Sequence, residues 1–297
     1  MKYAINYADR AFHSAQKYNT QTAYKKGRFD KVFEYSPENI NKEFLEKNQS
    51  CFVEGDHRIG KFGLWRPLII VDALNKIEIG DYLFYCDSGA YYVNSIDYLI
   101  EEMEQNRDEI MIFDIPFIEK QWTKRDIFVY LKCDNKKYTD SNQRMSTAFL
   151  LKKGKKSMEF FNEYMKIATE APFLFTDENN ILGKNNYENF IDNRHNQSVL
   201  SVLSKKYNLN SYMDPSEYGK RPNIYLGLYG DVFKDMFPNC QFNIIKHENK
   251  YPQIILSHRK GKVTFKVRMM GWIRSNFPAK AFVLIYKWNY LLKNKLK

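Results

Sequence analysis

The sequence predicts an α/β fold: a mixed, mostly parallel sheet flanked by helices, with a basic amphipathic C-terminal tail. Three observations predict it. Strand-like and helix-like stretches alternate through the first fifty residues, an order that calls for right-handed crossovers and parallel strands. A short aromatic run, Tyr82 to Cys86, follows a Gly80-Asp81 turn and ends abruptly in Asp87-Ser88-Gly89. From residue 249 onward there are 12 Lys and Arg and no Asp or Glu.

The elements follow in order. Met1 to Tyr7 reads as a first strand that stops at Ala8-Asp9. Phe12 to Tyr24 reads as a helix closed by Gly27 as a C′ glycine. Lys31 to Tyr35 is a second strand. Ser36-Pro37-Glu38-Asn39 opens a helix through about Asn48, with proline in its first position. Pro67 to Leu74 is a buried helix leading into the strand that ends at Asp87. Ile96 to Glu104 is an amphipathic helix, and Glu109 to Asp114 a strand broken by Ile115-Pro116. Trp122 to Asp126 begins a helix, with Thr123 as N-cap and Asp126 three positions on. Met145 to Leu151 is a strand, and Lys155 to Ala168 a helix whose stripe of Met158, Phe161, Met165 and Ala168 faces the core. Residues 176–198 are dense in Asn and Asp and read as loop, running into a helix from Gln197 to Tyr207. Asn243 to Lys246 and Ile254 to Leu256 read as late strands.

Composition narrows the function. The 297 residues carry a formal charge of +11, but the first 248 hold 34 cations and all 35 acids. A neutral body thus carries a basic tail. A nucleic-acid binder usually spreads its charge over a folded face; a cationic tail with Trp272, Phe277, Phe282 and Trp288 suits an anionic lipid surface. Lys280 and Lys287 interrupt the tail's apolar run, so it lies in an interface rather than spanning. Nowhere does the sequence hold about 18 uninterrupted apolar residues, and MKYAINYADRAF lacks the apolar core of a secretion signal. Cys51, Cys86, Cys133 and Cys240 are far apart, which argues against zinc and for free thiols in a reducing cytoplasm.

Asp87 delivers a carboxylate to the C-terminal edge of a buried strand, where α/β sheets open a ligand crevice. Mg²⁺ or Mn²⁺ takes one or two such carboxylates and fills its octahedron from water and substrate phosphates. Ser88 adds a hydroxyl there. The bland alternative is an ordinary Asp-Ser-Gly turn. Residues 55–66 are glycine-punctuated and carry Arg58, Lys61 and Arg66, as a diphosphate cradle would; the bland alternative is a surface loop.

Read together, these pieces resemble a bacterial glycosyltransferase family of the GT-A fold, found among capsule and lipopolysaccharide enzymes. The resemblance rests on an ordered series over about residues 1–220: Tyr7-Ala8-Asp9, Phe29 to Pro37, Trp65-Arg66-Pro67, Gly80-Asp81 to Gly89, Glu119 to Asp126, Asp192 to Ser198 and Asp214-Pro215-Ser216. It implies a Rossmann-like nucleotide-sugar half (1–130) and an acceptor half (131–260); the tail (261–297), by its own cations and aromatics, is expected to associate with the inner face of the cytoplasmic membrane. Glycosyl transfer from a nucleotide-sugar, foremost a UDP-sugar, to a glycan acceptor held on a lipid is the implied activity, in surface polysaccharide synthesis. Asp87 and a late histidine, His258, are the implied ligands of Mn²⁺ or Mg²⁺. Tyr7, Asp9, Trp65, Arg66 and Ser88, with Arg58 and Lys61, are the implied donor-binding residues, and Arg194, His195, Asn196 and Gln197 the acceptor-binding ones. Asp126, Asp177 and Asp192 are candidate catalytic bases, among which the sequence does not choose.

The chain departs from the family pattern at three places. Position 89 is glycine where a DxD motif has its second acid, Arg66 stands where relatives carry lysine, and Asn196 stands where they often carry aspartate. Two other classes stay open: a catalytically inactive sugar- or nucleotide-binding relative, and a nucleic-acid-binding protein.

Overall fold

The structure, a computed structural model, describes residues 1–48, 62–237, 239–249 and 251–295, with side chains as far as residue 288. Arg58 and Lys61 lie outside the described residues.

In chain order the described elements are β1 (Lys2–Tyr7), α1 (His13–Thr22), β2 (Lys31–Tyr35), α2 (Lys42–Lys47), α3 (Arg66–Asn75), β3 (Tyr82–Cys86) and β4 (Ala90–Tyr92). Next come α4 (Asp97–Gln105), β5 (Ile110–Ile118), α5 (Arg125–Tyr130), α6 (Lys136–Thr139), β6 (Asn142–Arg144), β7 (Ala148–Lys152) and α7 (Lys155–Glu170). The chain continues through α8 (Asn196–Lys206), β8 (Ser211–Tyr212), α9 (Asn223–Gly227), β9 (Ile255–Ser257), α10 (Phe265–Asn276) and α11 (Ala279–Lys295).

Seven of the described strands form one mixed sheet in the order β2-β1-β3-β7-β5-β6, with β8 beside β5. β1 pairs in parallel with both β2 and β3, and β8 in parallel with β5. β7 runs antiparallel between β3 and β5, so those two strands point the same way. The C-terminal ends of β1, β3 and β5 therefore open on one edge of the sheet. β4 and β9 form a separate antiparallel ribbon.

Alternation along the strands makes two cores. Tyr3, Ile5, Leu83 and Tyr85 point to the face covered by α3 and α7; Ala4, Phe84 and Cys86 point to the other, covered by α4 and the β4–β9 ribbon. α7 buries Phe160, Phe161, Tyr164, Ile167 and Ala168, a three-and-four spacing that turns one stripe inward. Its first turn is tied down twice: Gly154 N–H donates to Ser157 Oγ at 2.9 Å, and Ser157 N–H donates to the Glu109 carboxylate at 2.9 Å.

Several expectations need correction. Pro116 does not end β5. The pairing with β6 shifts register between Asp114 and Ile118, so the proline falls where the ladder asks for no N–H donor. Its carbonyl still accepts from Asn243 N–H at 2.9 Å. Residues 243–246 form no strand; a single bridge, Phe117 to Phe242, stands there. The helix expected over 36–48 is a short 3-10 turn at Pro37–Asn39 and then α2, which Asn41 caps through its side chain. α1 passes into a π turn over Ala23–Gly27, and Arg28, not Gly27, takes the left-handed position beyond it (φ 59°). Thr123 caps nothing; its hydroxyl donates to Glu119 at 2.6 Å, and α5 begins at Arg125. The strand expected over 145–151 starts at Ala148, with β6 a separate short strand before it.

Phe282 and Val283 belong to the body, not to a membrane: both are buried against Ile224 and Leu228. α10 is fastened beside them by an ion pair between Arg274 Nε and Glu217 at 2.8 Å. Among the described residues no helix is long and apolar enough to cross a membrane.

Asp214, three residues before Glu217, is buried with one oxygen accepting from Ser216 N–H at 2.7 Å. Its other oxygen has no hydrogen-bond partner among the described residues. Burial pushes this carboxyl up to about 7, and the nearby Glu217 charge adds to the rise. A carboxyl whose pKa is higher folded than unfolded stabilises the fold at low pH and loses that contribution as pH rises through the folded value. Asp214→Asn, which keeps the acceptor for Ser216, is therefore expected to be more stable than wild type at pH 8 and to match it near pH 4. Urea melts at the two pH values measure this; a variant weaker at both would show that Asp214 is ionised and paired in the fold.

Candidate functional site

Three chain segments meet at the open edge of the sheet. β1 ends at Tyr7, whose carbonyl accepts from Ser88 Oγ at 2.6 Å. The turn after β1 is closed by Asp9, one oxygen of which accepts from Ala11 N–H (3.0 Å) and Phe12 N–H (3.2 Å). The turn after β9 is fixed to the turn after β3, because His258 N–H and Arg259 N–H both donate to the Gly89 carbonyl at 2.7 and 2.8 Å. A Cβ at Gly261 would sit 2.2 Å from the Ala11 carbonyl oxygen, so only glycine lets this last segment lie against the first. These contacts bring the turns that carry Tyr7, Asp9, Asp87, Ser88 and His258 to one edge of the sheet.

Arg66 ties this edge to the second half of the chain. It sits in the first turn of α3 with its guanidinium buried. Nε donates to the Tyr85 hydroxyl at 3.0 Å, and one terminal nitrogen to Asp87 Oδ1 at 2.7 Å. The other donates to Ser146 Oγ at 2.8 Å and to the side-chain oxygen of Asn196. The Tyr85 hydroxyl in turn donates to the same Asp87 oxygen. Desolvation works against this cation, but Asp87 and the phenols of Tyr85 and Tyr164 more than reverse it, and the guanidinium is held above its ordinary pKa. Lysine has no planar fork with which to reach so many acceptors. Two of the three departures from the family pattern, Arg66 and Asn196, are therefore partners in this structure.

Asn196 opens α8 and is held on three sides. Its amide nitrogen donates to the Phe62 carbonyl at 3.1 Å, and its own carbonyl accepts from the Tyr164 hydroxyl at 2.9 Å. A Cβ at Gly63 (φ 66°) would collide with it at 2.1 Å. Gln197 accepts from Ser146 N–H at 3.3 Å and donates to Gln143 at 2.8 Å. His195 has φ 54° and ψ −120°, a conformation rarely adopted outside constrained sites. Its ring lies 4.7 Å from that of Phe62, and Nε2 is 2.6 Å from the Asp177 carboxylate. Arg194 turns away: its guanidinium lies over the Trp122 ring at 4.1 Å, where it braces the loop rather than facing the crevice.

The three candidate bases separate by position. Asp126 is fully buried, and its two oxygens accept from Ile181 N–H (2.8 Å) and Leu182 N–H (3.0 Å). It pins the 176–182 loop and faces no open space, which corrects the expectation that it serves as a base. Asp192 is exposed, its backbone tied to the Gln121 carbonyl. Asp177 is half-exposed and paired to His195, one residue from Asn196. Trp65 and Tyr7, expected among the donor-binding residues, turn their rings toward each other. Their rings stack on each other at 3.7 Å and both are buried.

The Mg²⁺ or Mn²⁺ implied by the resemblance does not fit the donor set present. Among the described residues no three His, Cys, Asp or Glu side chains cluster as a metal site needs. Oδ1 of Asp87 is taken by a guanidinium and a phenol, and the second acid position is Gly89. His258 presents the wrong atom. Its Nδ1 accepts from Lys260 N–H at 3.1 Å, an assignment from the hydrogen-bond network that puts the hydrogen on Nε2. A nitrogen carrying a hydrogen has no lone pair for a metal.

Sequence reasoning missed Ser146, Tyr85, Tyr164 and Arg259. Ser146 falls inside the stretch 145–151 that reads as one strand, and in the structure it lies in the link between β6 and β7. Tyr85 passes for a core aromatic. Arg259 lies in a basic run where no single cation stands out, yet its guanidinium is within electrostatic range of Asp87.

No family model matches the sequence, and no curated protein matches it. Among solved structures the chain is similar to mouse xyloside xylosyltransferase 1, at 11% identity over 86% of this chain and 97% of that one, with a TM-score of 0.45. It is similar to the galactosyltransferase LgtC, at 10% identity over 86% of each chain and a TM-score of 0.45. It is also similar to the glycosyltransferase GlyE of Streptococcus pneumoniae TIGR4, at 12% identity over 96% of this chain and 62% of that one, with a TM-score of 0.38. Likenesses at this level leave the fold to rest on the strand order and pairings described above.

Removing one partner of a buried ion pair strands the other, at about 3–5 kcal/mol when both are fully buried. Arg66 is buried but the Asp87 side chain stays 33% exposed. Arg66→Met is therefore expected to cost a smaller amount, about 2 kcal/mol, read as a lowered urea midpoint at unchanged slope. A midpoint equal to wild type would show that Arg66 does not hold the two halves together.

Proposed function

We propose that this chain is a glycosyltransferase of the GT-A type, moving a sugar from a nucleotide-sugar, foremost a UDP-sugar, to a glycan acceptor. One observation carries the reading. The strand-end acid Asp87 and Asn196 at the start of α8, from opposite halves of the sequence, are joined through a single buried guanidinium at the open edge of the sheet. A donor seated on the β1 and β3 ends and an acceptor seated by the 192–197 loop would then meet at Arg66. Inactive binding to a nucleotide or sugar would use the same crevice, and measured turnover separates the two.

The chemistry follows from that placement. The acceptor oxygen forms a bond to the anomeric carbon, the bond from that carbon to the diphosphate oxygen breaks, and its electron pair leaves on the phosphate. The acceptor's proton must go to a base. Asp177 is the candidate in reach, and His195 holds its orientation at 2.6 Å. Asp177→Asn is expected to lower kcat for transfer about 10²–10⁴-fold with little change in thermal stability. Equal kcat in the variant would remove Asp177 from this role and leave Asp192 to be tested.

A lipid-held acceptor suits the tail. α10 turns Gly271 and Arg274 toward the body and leaves Phe265, Met269 and Trp272 exposed at positions of one helical stripe. Trp272 packs edge-on against Phe277 at 5.7 Å, and Trp288 is 68% exposed. The surrounding charges are Lys262, Lys266, Arg268, Lys280 and Lys287. An apolar stripe among cations without acids matches an anionic lipid surface. The intact protein is expected to float with anionic vesicles and to release at high salt. The double variant Phe265→Ser, Trp272→Ser keeps the buried anchors and is expected to stay at the bottom of the gradient. Flotation of the variant equal to wild type would remove the stripe from membrane attachment.

A further inference from the structure

The mismatch between the expected metal and the residues at Asp87 itself points somewhere. His258 is 8% exposed, and its Nε2 has no hydrogen-bond partner among the described residues. A buried N–H donor without a partner carries a desolvation cost of about 1–3 kcal/mol, and in a folded protein such a group usually has a reason. Its backbone N–H is fastened to the Gly89 carbonyl, so residue 258 stands beside the turn that carries Asp87, and its ring lies 5.9 Å from that of Tyr91. Its Nδ1 accepts from Lys260 N–H at 3.1 Å, which leaves Nε2 as the N–H donor. Arg259, its neighbour, is exposed and held by its own N–H to the same carbonyl with φ 52°, a constrained backbone for a non-glycine residue. Arg66 completes the set through its ion pair with Asp87.

These groups match the ligand that a departing nucleoside diphosphate presents: several oxygens, gathering charge as the glycosidic bond breaks. Preorganised donors and cations supply stabilisation of that charge without a metal ion. A divalent cation added at Asp87 would sit beside the Arg66 guanidinium, which is already 2.7 Å from the carboxylate, and like charges at that range repel.

We infer that this site binds the nucleoside diphosphate of its donor without a divalent cation, through the Nε2–H of His258 and the guanidiniums of Arg259 and Arg66, with Asp87 serving to hold Arg66. The inference rests on the glycosyl-transfer reading and goes beyond it in naming what replaces the metal. Asp87 and His258 are then a positioning residue and a hydrogen-bond donor, not ligands of an ion.

The test is binding of UDP, GDP and uridine to the full chain, by calorimetry and thermal shift, once with excess EDTA and once with Mn²⁺. At least one of the diphosphates is expected to bind with equal affinity in both, and uridine far more weakly. His258→Leu is expected to lose about 10- to 100-fold in affinity, the worth of one hydrogen bond to a charged group. His258→Gln, which restores an N–H donor but makes a poor metal ligand, is expected to recover most of it. Arg259→Gln, a change at an exposed side chain, gives a second reading independent of core packing and is expected to weaken binding in EDTA. Binding that appears only with Mn²⁺ and that His258→Gln fails to rescue overturns the inference while sustaining glycosyl transfer. No binding of either diphosphate in either condition overturns both.

Discussion

The buried guanidinium of Arg66 is the contact on which the rest of the site depends. It enters from the first turn of α3, where a cation gains nothing from the helix dipole and must find its compensation elsewhere. It finds it in Asp87, Tyr85, Ser146 and Asn196, contributed by the end of one strand, the approach to another and the start of a long helix. Each partner is in place for a local reason: β3 pairs with β1, β7 pairs with β3, and α8 starts beside Phe62. The charge adds no fold of its own. It makes the edges of three independently positioned elements agree on one geometry. Buried ionic groups are a weak source of net stability, and specification of one arrangement is their best-attested use.

Much of the framework was legible in the sequence. β1, β2, β3, α3, α4 and α7 fall where apolar spacing and turn residues put them, because each is a local element with its own start and stop signals. The elements that were misplaced depend on partners far along the chain. Pro116 reads as a strand breaker, and only the register shift opposite β6 shows that no donor was needed there. β8 is two residues long and exists because Ser211 and Tyr212 align with Ile112 and Phe113. Thr123 and Asp126 carry the spacing of a helix cap, but Glu119 and the 181–182 backbone claim them first.

The site was legible in part and for a similar reason. The residue types around the crevice were visible as weak motifs in order, and the structure brings Tyr7, Asp9, Asp87, Ser88, His258 and Asn196 to one edge of the sheet. What their side chains do was not visible. Whether His258 offers a lone pair or a hydrogen is decided by the backbone of Lys260, and no pattern of residue types encodes that choice. The pairing of Arg66 with Asn196 could have been guessed from their joint departure from the family pattern: an aspartate at 196 would set a second carboxylate against the same guanidinium and divide its attraction for Asp87.

The strand order has a consequence for synthesis on the ribosome. β7 is the seam between β3 and β5, yet it is made after both. Until residue 152 has emerged, β3 and β5 each present an unpaired, strongly apolar edge to solvent. Nascent chains of this length lie in the range where such edges attract one another. The first 130 residues are therefore not a piece that can be cut away and studied alone, and a truncation series would be expected to pass from insoluble to soluble only once the seam is included. Growing polypeptide and folded product thus differ less in which contacts they make than in when the closing strand arrives.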